Sequence, residues 1–436
     1  MTKSGATVPL DVNHQLVRLA SDLLETSWGE GFRSKSSDFT RGGSLTPEVL
    51  LTLMLFMAGD AGRRGYEHVL EDFWAEAQRS GISLPCDDPV TAAAFCKARK
   101  KLKPELFATL LSKVGALLAD KDEDWLRWRG RRFYAVDGMC HNTQRSAALA
   151  DAFGVPSGSH CPQILVSTLF DVVGKFPVAA TIAPSASCER QELLKLLDHL
   201  QAGDVLVLDR GYPSHEVLQS LCARGIEFII RVPKSHSFAA IDEFQERSQI
   251  DGRVTINPSP RDARAGVQPL KLRMVRIDVN AGDPWILLTS LPRSEATRFV
   301  MGQAYHLRWE IEELYKTAKS DYFTQRQFHA KSPEGVEQEV RCQLLMVAIA
   351  RLLMTNAAVA TETPYQHLKT KSGILAVVTG IVRILLCDDP EKRLDHHASM
   401  LTRIARRPVK RRLGRSCPRR SFKPGPRWNS KGKGEG

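Results

Sequence analysis

Arg132-Phe133-Tyr134-Ala135-Val136-Asp137-Gly138 is where the periodicity of the chain changes. Four apolar residues that stop on an acid and a glycine read as a short buried strand closed by Asp137. A second stretch repeats the pattern: Val205-Leu206-Val207-Leu208 is a buried strand that stops on Asp209-Arg210-Gly211-Tyr212. Between them, Gln163 to Val172 and Lys175 to Ile182 form a hairpin around Val173-Gly174, followed by an amphipathic helix from Glu189 to Leu200. A helix from Ser214 to Arg224 and a strand from Glu227 to Val232 complete the series. Strand, hairpin, helix, strand, helix, strand describes an α/β sheet of mixed direction, flanked by helices.

Upstream, residues 1–130 read as helical. Thr46-Pro47-Glu48 opens one helix with a threonine cap and proline at the first position. Another follows Asp87-Asp88-Pro89, with Ala92, Phe95, Ala98 and Leu102 on one side and Lys97, Arg99, Lys100, Lys101 and Lys103 alongside; Pro104 starts a third. A basic helical face of this kind suits a helix-turn-helix-like DNA contact and equally an ordinary solvated surface. Downstream, residues 233–292 are polar and loop-rich, with strands at Leu270 to Val279 and Trp285 to Thr289, and read as a β-rich insertion. Long helices are expected from about Ser294 to Tyr322 and from about Glu334 to Thr361. Residues 363–436 hold a C-terminal helical segment and then a tail too rich in Arg, Lys, Pro and Gly for a core, expected to be disordered until it binds.

The chain's 436 residues are too many for one compact core. Its net charge of +12 is concentrated at one end. From Leu401 onward there are 13 Lys and Arg against one acid, Glu435, whereas the 400 residues before hold 48 of each sign. A neutral body with a cationic tail suits a polyanion, most often nucleic acid. The apolar run Leu50 to Ala58 is far short of a bilayer span, and Met1 to Ala6 lack the apolar centre of a signal peptide. Nine cysteines occur singly with no C-x-x-C pair, which suggests neither a disulfide scaffold nor a zinc site. The expectation is a reduced, cytoplasmic protein with no membrane partner.

Asp137 and Asp209 each follow an apolar strand and precede a glycine-containing turn. Alone, either is an ordinary turn or cap residue. At equivalent positions in one sheet, they are placed to hold a hard divalent cation through oxygen. The third acid lies in Tyr305-His306-Leu307-Arg308-Trp309-Glu310-Ile311-Glu312-Glu313-Leu314-Tyr315-Lys316-Thr317-Ala318-Lys319. With Tyr305 at zero and about 100° per residue, Arg308 falls near about −60°, Glu312 near about −20° and Lys319 near about −40°. Glu310 and Glu313 point elsewhere, so Glu312 is the glutamate that shares the stripe with the cations. A surface row of i, i+4 ion pairs would give the same stripe.

Tyr305-x2-Arg308-x3-Glu312-x6-Lys319 resembles the Y-x2-R-x3-E-x6-K signature of the insertion-sequence-four type of bacterial cut-and-paste DDE transposases. Asp137 in Tyr134-Ala135-Val136-Asp137-Gly138 and Asp209 in Leu206-Val207-Leu208-Asp209-Arg210-Gly211-Tyr212 resemble that family's two catalytic aspartates. Trp285-Ile286-Leu287-Leu288-Thr289 resembles the insertion strand before the signature tyrosine. The resemblance runs from roughly Leu45 to the tail. It implies an RNase H-like core at residues 131–362 with the β-insertion inside it.

It further implies metal-dependent cleavage of transposon-end DNA and strand transfer into target DNA. In-line attack at phosphorus is served by two Mg²⁺ about 3.5–4 Å apart, with Mn²⁺ as a substitute. Asp137, Asp209 and Glu312 would be the catalytic and metal-ligating residues. Tyr305, Arg308 and Lys319 would contact the DNA backbone at the cut. Trp285, and more weakly Trp309 beside the stripe, would stack an extruded base if the ends pass through hairpins; a core role suits Trp285 equally well. The implied partners are double-stranded DNA, as inverted-repeat ends and target, and a second copy of the chain in a nucleoid-associated complex. A nuclease of the same fold that cuts without joining would share the three carboxylates. A host-adopted derivative that only binds DNA would keep the fold and tail, but usually loses a carboxylate.

Overall fold

The computed structural model describes residues 10–59, 65–121, 124–233, 238–264, 266–279, 283–316, 328–406 and 408–409. Among the described residues there are eight strands: β1 Phe133–Asn142, β2 Gln163–Asp171, β3 Phe176–Pro184, β4 Val205–Leu208, β5 Glu227–Val232, β6 Asp251–Ile256, β7 Leu270–Ile277 and β8 Trp285–Thr289. They form one sheet in the order β3-β2-β1-β4-β5-β8-β7-β6. β1 pairs antiparallel with β2 and parallel with β4, and β4 pairs parallel with β5. The first five strands thus have RNase H-like order and direction. The expected insertion does not fold apart from this sheet. β8 pairs antiparallel with β5, β7 with β8, and β6 with β7, so the insertion extends the central sheet to its far edge. β6 escaped notice because an edge strand, paired on one side, carries polar residues where a central strand is apolar.

β1 is also longer than expected. Its apolar half is flanked by β2 and β4, but β2 continues to pair with it as far as Asn142, opposite Gln163, beyond the last β4 partner. Asp137 therefore sits in mid-strand, where β1 loses its parallel neighbour, and not at the strand's end.

Side-chain alternation divides the core. Tyr134, Val136, Leu206, Leu208, Phe228 and Ile230 face the helices Glu189–Leu196, His215–Ala223 and Ala239–Glu246. Phe133, Ala135, Val205, Val207, Ile229 and Leu287 face the opposite way, into a larger core. That core contains the helices Leu10–Ser27, Pro47–Ala58, Tyr66–Arg79 and Glu105–Ala119 as well as Pro333–Ala360, Thr370–Leu386 and Pro390–Ala405. It runs unbroken across residues 130 and 362, where the composition suggested boundaries. The helix Pro333–Ala360 is apolar and long enough to cross a membrane, yet 83% of its most apolar stretch is buried against its neighbours.

Two helical expectations need correction. The helix expected over 294–322 is two helices, Arg298–Leu307 and Trp309–Lys316, separated by a turn at Arg308. There the backbone tightens to i+3 bonds: Arg308 N–H donates to Tyr305 O and Ile311 N–H to Arg308 O, each at 3.2 Å. The basic face around residues 97–103 is not uniformly solvated. Arg99 is 5% exposed and points inward, onto the helix Pro333–Ala360. The tail beyond residue 409 lies outside the described residues.

Candidate active site

The site begins with strand register. β1 and β4 run parallel with Phe133 opposite Val205 and Ala135 opposite Val207. Asp137 and Asp209 each lie two residues beyond the last of these pairs, Asp209 just past the end of β4, and close enough for the Asp209 charge to act on Asp137. The same alternation puts both on the face of Ala135 and Val207, which is the face covered by Met301, Ala304 and Tyr305 of the helix Arg298–Leu307.

Three side chains descend from that helix and its continuation. Tyr305 is buried, and its hydroxyl donates to Asp209 Oδ1 at 3.2 Å. Burial first, and then the Asp209 charge, push the Tyr305 hydroxyl well above its usual pKa. One turn on, Arg308 is 8% exposed and donates through Nη2 to Glu312 Oε1 at 2.7 Å. Burial works against its charge, but Tyr305, Asp209, Glu312 and Asp137 together outweigh it. Arg308 Nε is buried and finds no hydrogen-bond partner among the described residues. Burial pushes the Asp137 carboxyl up to about 6, Glu189 and Asp209 add to the rise, and Arg308 and the Gly138 N–H oppose it. All three carboxylates thus interact with one guanidinium.

The comparisons with known proteins bear on this arrangement. The transposase DDE domain family matches residues 128–353, a span that covers β1, β4 and the helix of Glu312. The chain belongs to the DDE transposase family. No curated protein sequence matches it. Among solved structures it is similar to the piggyBac transposase in a cryo-EM synaptic complex with hairpin DNA, at 9% identity and a TM-score of 0.46, over 94% of this chain and 85% of that one.

In this transposase Glu310 and Glu312 are engaged differently. Glu310 is engaged away from the stripe, ion-paired with Lys175 of the β2–β3 turn at 2.8 Å. Glu312 lies on Arg308. The side chain of Glu313 and all of Lys319 fall outside the described residues. Trp285 opens β8, and its ring meets the Tyr305 ring edge-on at 5.1 Å. Trp309 is 38% exposed, with its ring 5.9 Å from that of His306.

Two further residues adjoin the site. Glu189 approaches β1 so closely that a Cβ on Gly138 would lie 3.0 Å from its carboxyl carbon. Nothing in the spacing of Glu189 marks it; it reads as an ordinary first-turn helix acid. Arg231 holds its guanidinium 5.8 Å from the centre of the Trp285 ring. A lone cation in the apolar strand Phe228-Ile229-Ile230-Arg231-Val232 was the available signal.

The donor chemistry around Arg308 is that of a hard cation: three carboxylates, no thiol and no imidazole among them. Among the described residues no three acidic, histidine or cysteine side chains already stand close enough to hold an ion.

Proposed function

We propose that this DDE transposase is a cut-and-paste enzyme of the insertion-sequence-four type, acting on the inverted-repeat ends of a bacterial element. The observation that carries the proposal is the gathering of Asp137, Asp209 and Glu312 around Arg308, from two adjacent parallel strands and one helix. Asp137, Asp209 and Glu312 would hold two Mg²⁺, with Mn²⁺ as a substitute. When bound, these ions activate an attacking oxygen and stabilise the leaving one in displacement at phosphorus.

The chain's own groups orient the DNA. Tyr305, whose hydroxyl donates to Asp209, would contact the DNA backbone at the cut. Arg308 has unused donor capacity, and its planar fork suits a phosphate at the cut. Lys319, on the same stripe by spacing, would take a second phosphate. Trp285, packed on Tyr305 and flanked by Arg231, offers a face for an extruded base if the ends pass through hairpins. Cutting two ends calls for two copies on the DNA, in the cytoplasm and at the nucleoid.

The test uses the full chain, duplexes carrying the inverted repeats that flank its reading frame, a supercoiled target plasmid and Mg²⁺. Excised ends and ends joined to the plasmid are expected. Cutting without joining would instead mark a nuclease of the same fold. Binding with neither would mark a protein that has kept the fold and lost the chemistry.

A further inference from the structure

A groove of about 1030 Å³ opens where the N-terminal helices meet the helix Pro333–Ala360. Three exposed lysines line it: Lys100 and Lys103 on the N-terminal side, and Lys331 on the loop that leads into Pro333–Ala360. None of the three makes an ion pair with a described residue, while Glu334 is the one acid on the wall. Arg99, at the floor, adds little to the field because Glu339 neutralises it at 2.8 Å.

The backbone that carries these lysines is pinned. The Lys100 carbonyl accepts from Ser34 Oγ at 2.7 Å, and the Lys331 carbonyl from Ser146 Oγ at 2.8 Å. Lys103 Nζ donates to Gly31 O at 3.1 Å. Three exposed lysines on pinned backbone across a seam between two halves of a protein, with one acid on the wall, suit a polyanion.

The groove also has a fixed relation to the carboxylates. β1 runs from Asp137 to Asn142, and Gln144 is on the groove wall. At about 3.3 Å per residue the seven residues between the two places span at most roughly 23 Å. That is at most about seven steps of a duplex whose phosphates recur about every 3.4 Å along each strand.

We propose that this groove seats the sugar-phosphate backbone of the DNA end, within about seven base pairs of the cut, with Lys100, Lys103 and Lys331 each on a phosphate. The assignment rests on the transposase function proposed above. It divides the basic helical face by role: Arg99 joins the two halves of the protein, and its neighbours hold DNA.

The experiment compares full-length wild-type protein with Lys100→Ala/Lys103→Ala/Lys331→Ala on a 30-base-pair duplex, across a salt series and with a melting curve for each. A control variant, Lys195→Ala/Lys271→Ala/Lys369→Ala, removes three exposed lysines elsewhere. The groove variant is expected to lose at least about tenfold in affinity near 0.15 M salt. Its slope of log K against log salt should be shallower by about 2–3, since each lost phosphate contact removes about 0.9. Should the triple variant melt early, Lys331→Gln alone is expected to lower the slope by about 1. A groove variant no weaker than the control overturns the assignment while leaving the transposase reading intact. A wild-type chain that binds no duplex overturns that reading itself.

Discussion

The chain contains two buried constellations of the same three residue types, Tyr66–Arg99–Glu339 and Tyr305–Arg308–Glu312, and they are wired differently. Arg99 uses every nitrogen: Nε donates to Gln338, Nη1 to Tyr66 and Glu339, and Nη2 to the Gly335 carbonyl. Glu339 is equally occupied, with Oε1 accepting from Tyr66 and Arg99 and Oε2 from the His329 N–H. Arg308, nearly as buried, makes one side-chain hydrogen bond among the described residues, to Glu312, and leaves Nε unmatched. Tyr305 gives its hydroxyl to Asp209 and not to the glutamate. A saturated buried charge works as a strut, because nothing can be added without breaking it. An unsaturated one, among acids in excess, has capacity left for a ligand.

The largest expected effect lies at the second constellation. Asp137→Ala, Asp209→Ala and Glu312→Ala should each lower cleavage of end DNA about 10³-fold or more, the loss of roughly 4 kcal/mol of transition-state stabilisation. DNA binding and melting temperature should stay near wild type. Glu313→Ala, off the stripe, should be far milder. A gel assay of cleavage beside a binding isotherm decides it, and equal loss at Glu313 would mean that the wrong glutamate has been chosen.

Exchanging the two arginines for alanine tests the contrast directly. Arg99→Ala strands Glu339 in a buried site and should cost about 3–5 kcal/mol of stability. Arg308→Ala relieves no saturated network and should shift stability by about 1 kcal/mol or less while lowering cleavage about 10²-fold. Melting curves and single-turnover cleavage on both variants give the comparison. If Arg308→Ala melts as early as Arg99→Ala, unsaturation is no guide to function in this fold.

Much of this was legible in the chain before any coordinates. The apolar strands before Asp137 and Asp209, the β2–β3 hairpin and the helix of Pro333–Ala360 all announce themselves by period. So does the stripe of Tyr305, Arg308 and Glu312, which survives the turn at Arg308 because an i+3 bond rotates the helix only slightly out of phase. What escaped was set by tertiary pairing. β1 outlasts its apolar stretch because β2 holds it, and β6 forms because β7 offers it a partner and Arg273 grips Asp251 with two bonds of 2.8 Å. Arg99 shares the charge pattern of its lysine neighbours; its burial depends on Glu339, 240 residues away.

Trp285 tests how far the unsaturated site extends. Packed on Tyr305 and beside Arg231, it is part of the same wall whether its role is structural or functional. If it stacks an extruded base, Trp285→Ala should leave first-strand nicking nearly normal. Hairpin product should fall roughly tenfold, in keeping with ~1–3 kcal/mol of base–aromatic stacking. An abasic residue at the flipped position should restore part of it. Equal loss of nicks and hairpins with an early melt, unrescued by altered DNA, would return Trp285 to the core.

The smallest effect concerns a third buried arginine, Arg132, whose acid partner differs from both others. Asp171 is 1% exposed; its Oδ1 accepts from the Gly174 N–H at 2.7 Å and its Oδ2 from Arg132 Nη1 at 3.5 Å. Arg132 turns instead toward the Ala119 carbonyl, at 2.6 Å. Burial therefore dominates, and it pushes the Asp171 carboxyl up to about 6 against the pull of Gly174, Arg132 and Val173. The sign follows from proton counting. Between the ordinary value of 3.8 and about 6, the folded chain keeps a proton that the unfolded chain has released. Stability from this group therefore falls as pH rises through that window and is level on either side. Asp171→Asn keeps an acceptor for Gly174 and removes the titration. The wild-type melting temperature, measured relative to Asp171→Asn, should drop by about a few degrees between pH 4 and 6 and then hold. A relative melting temperature that climbs over the same interval would show that Arg132 holds the carboxylate ionised, placing this pair with the saturated strut at Arg99.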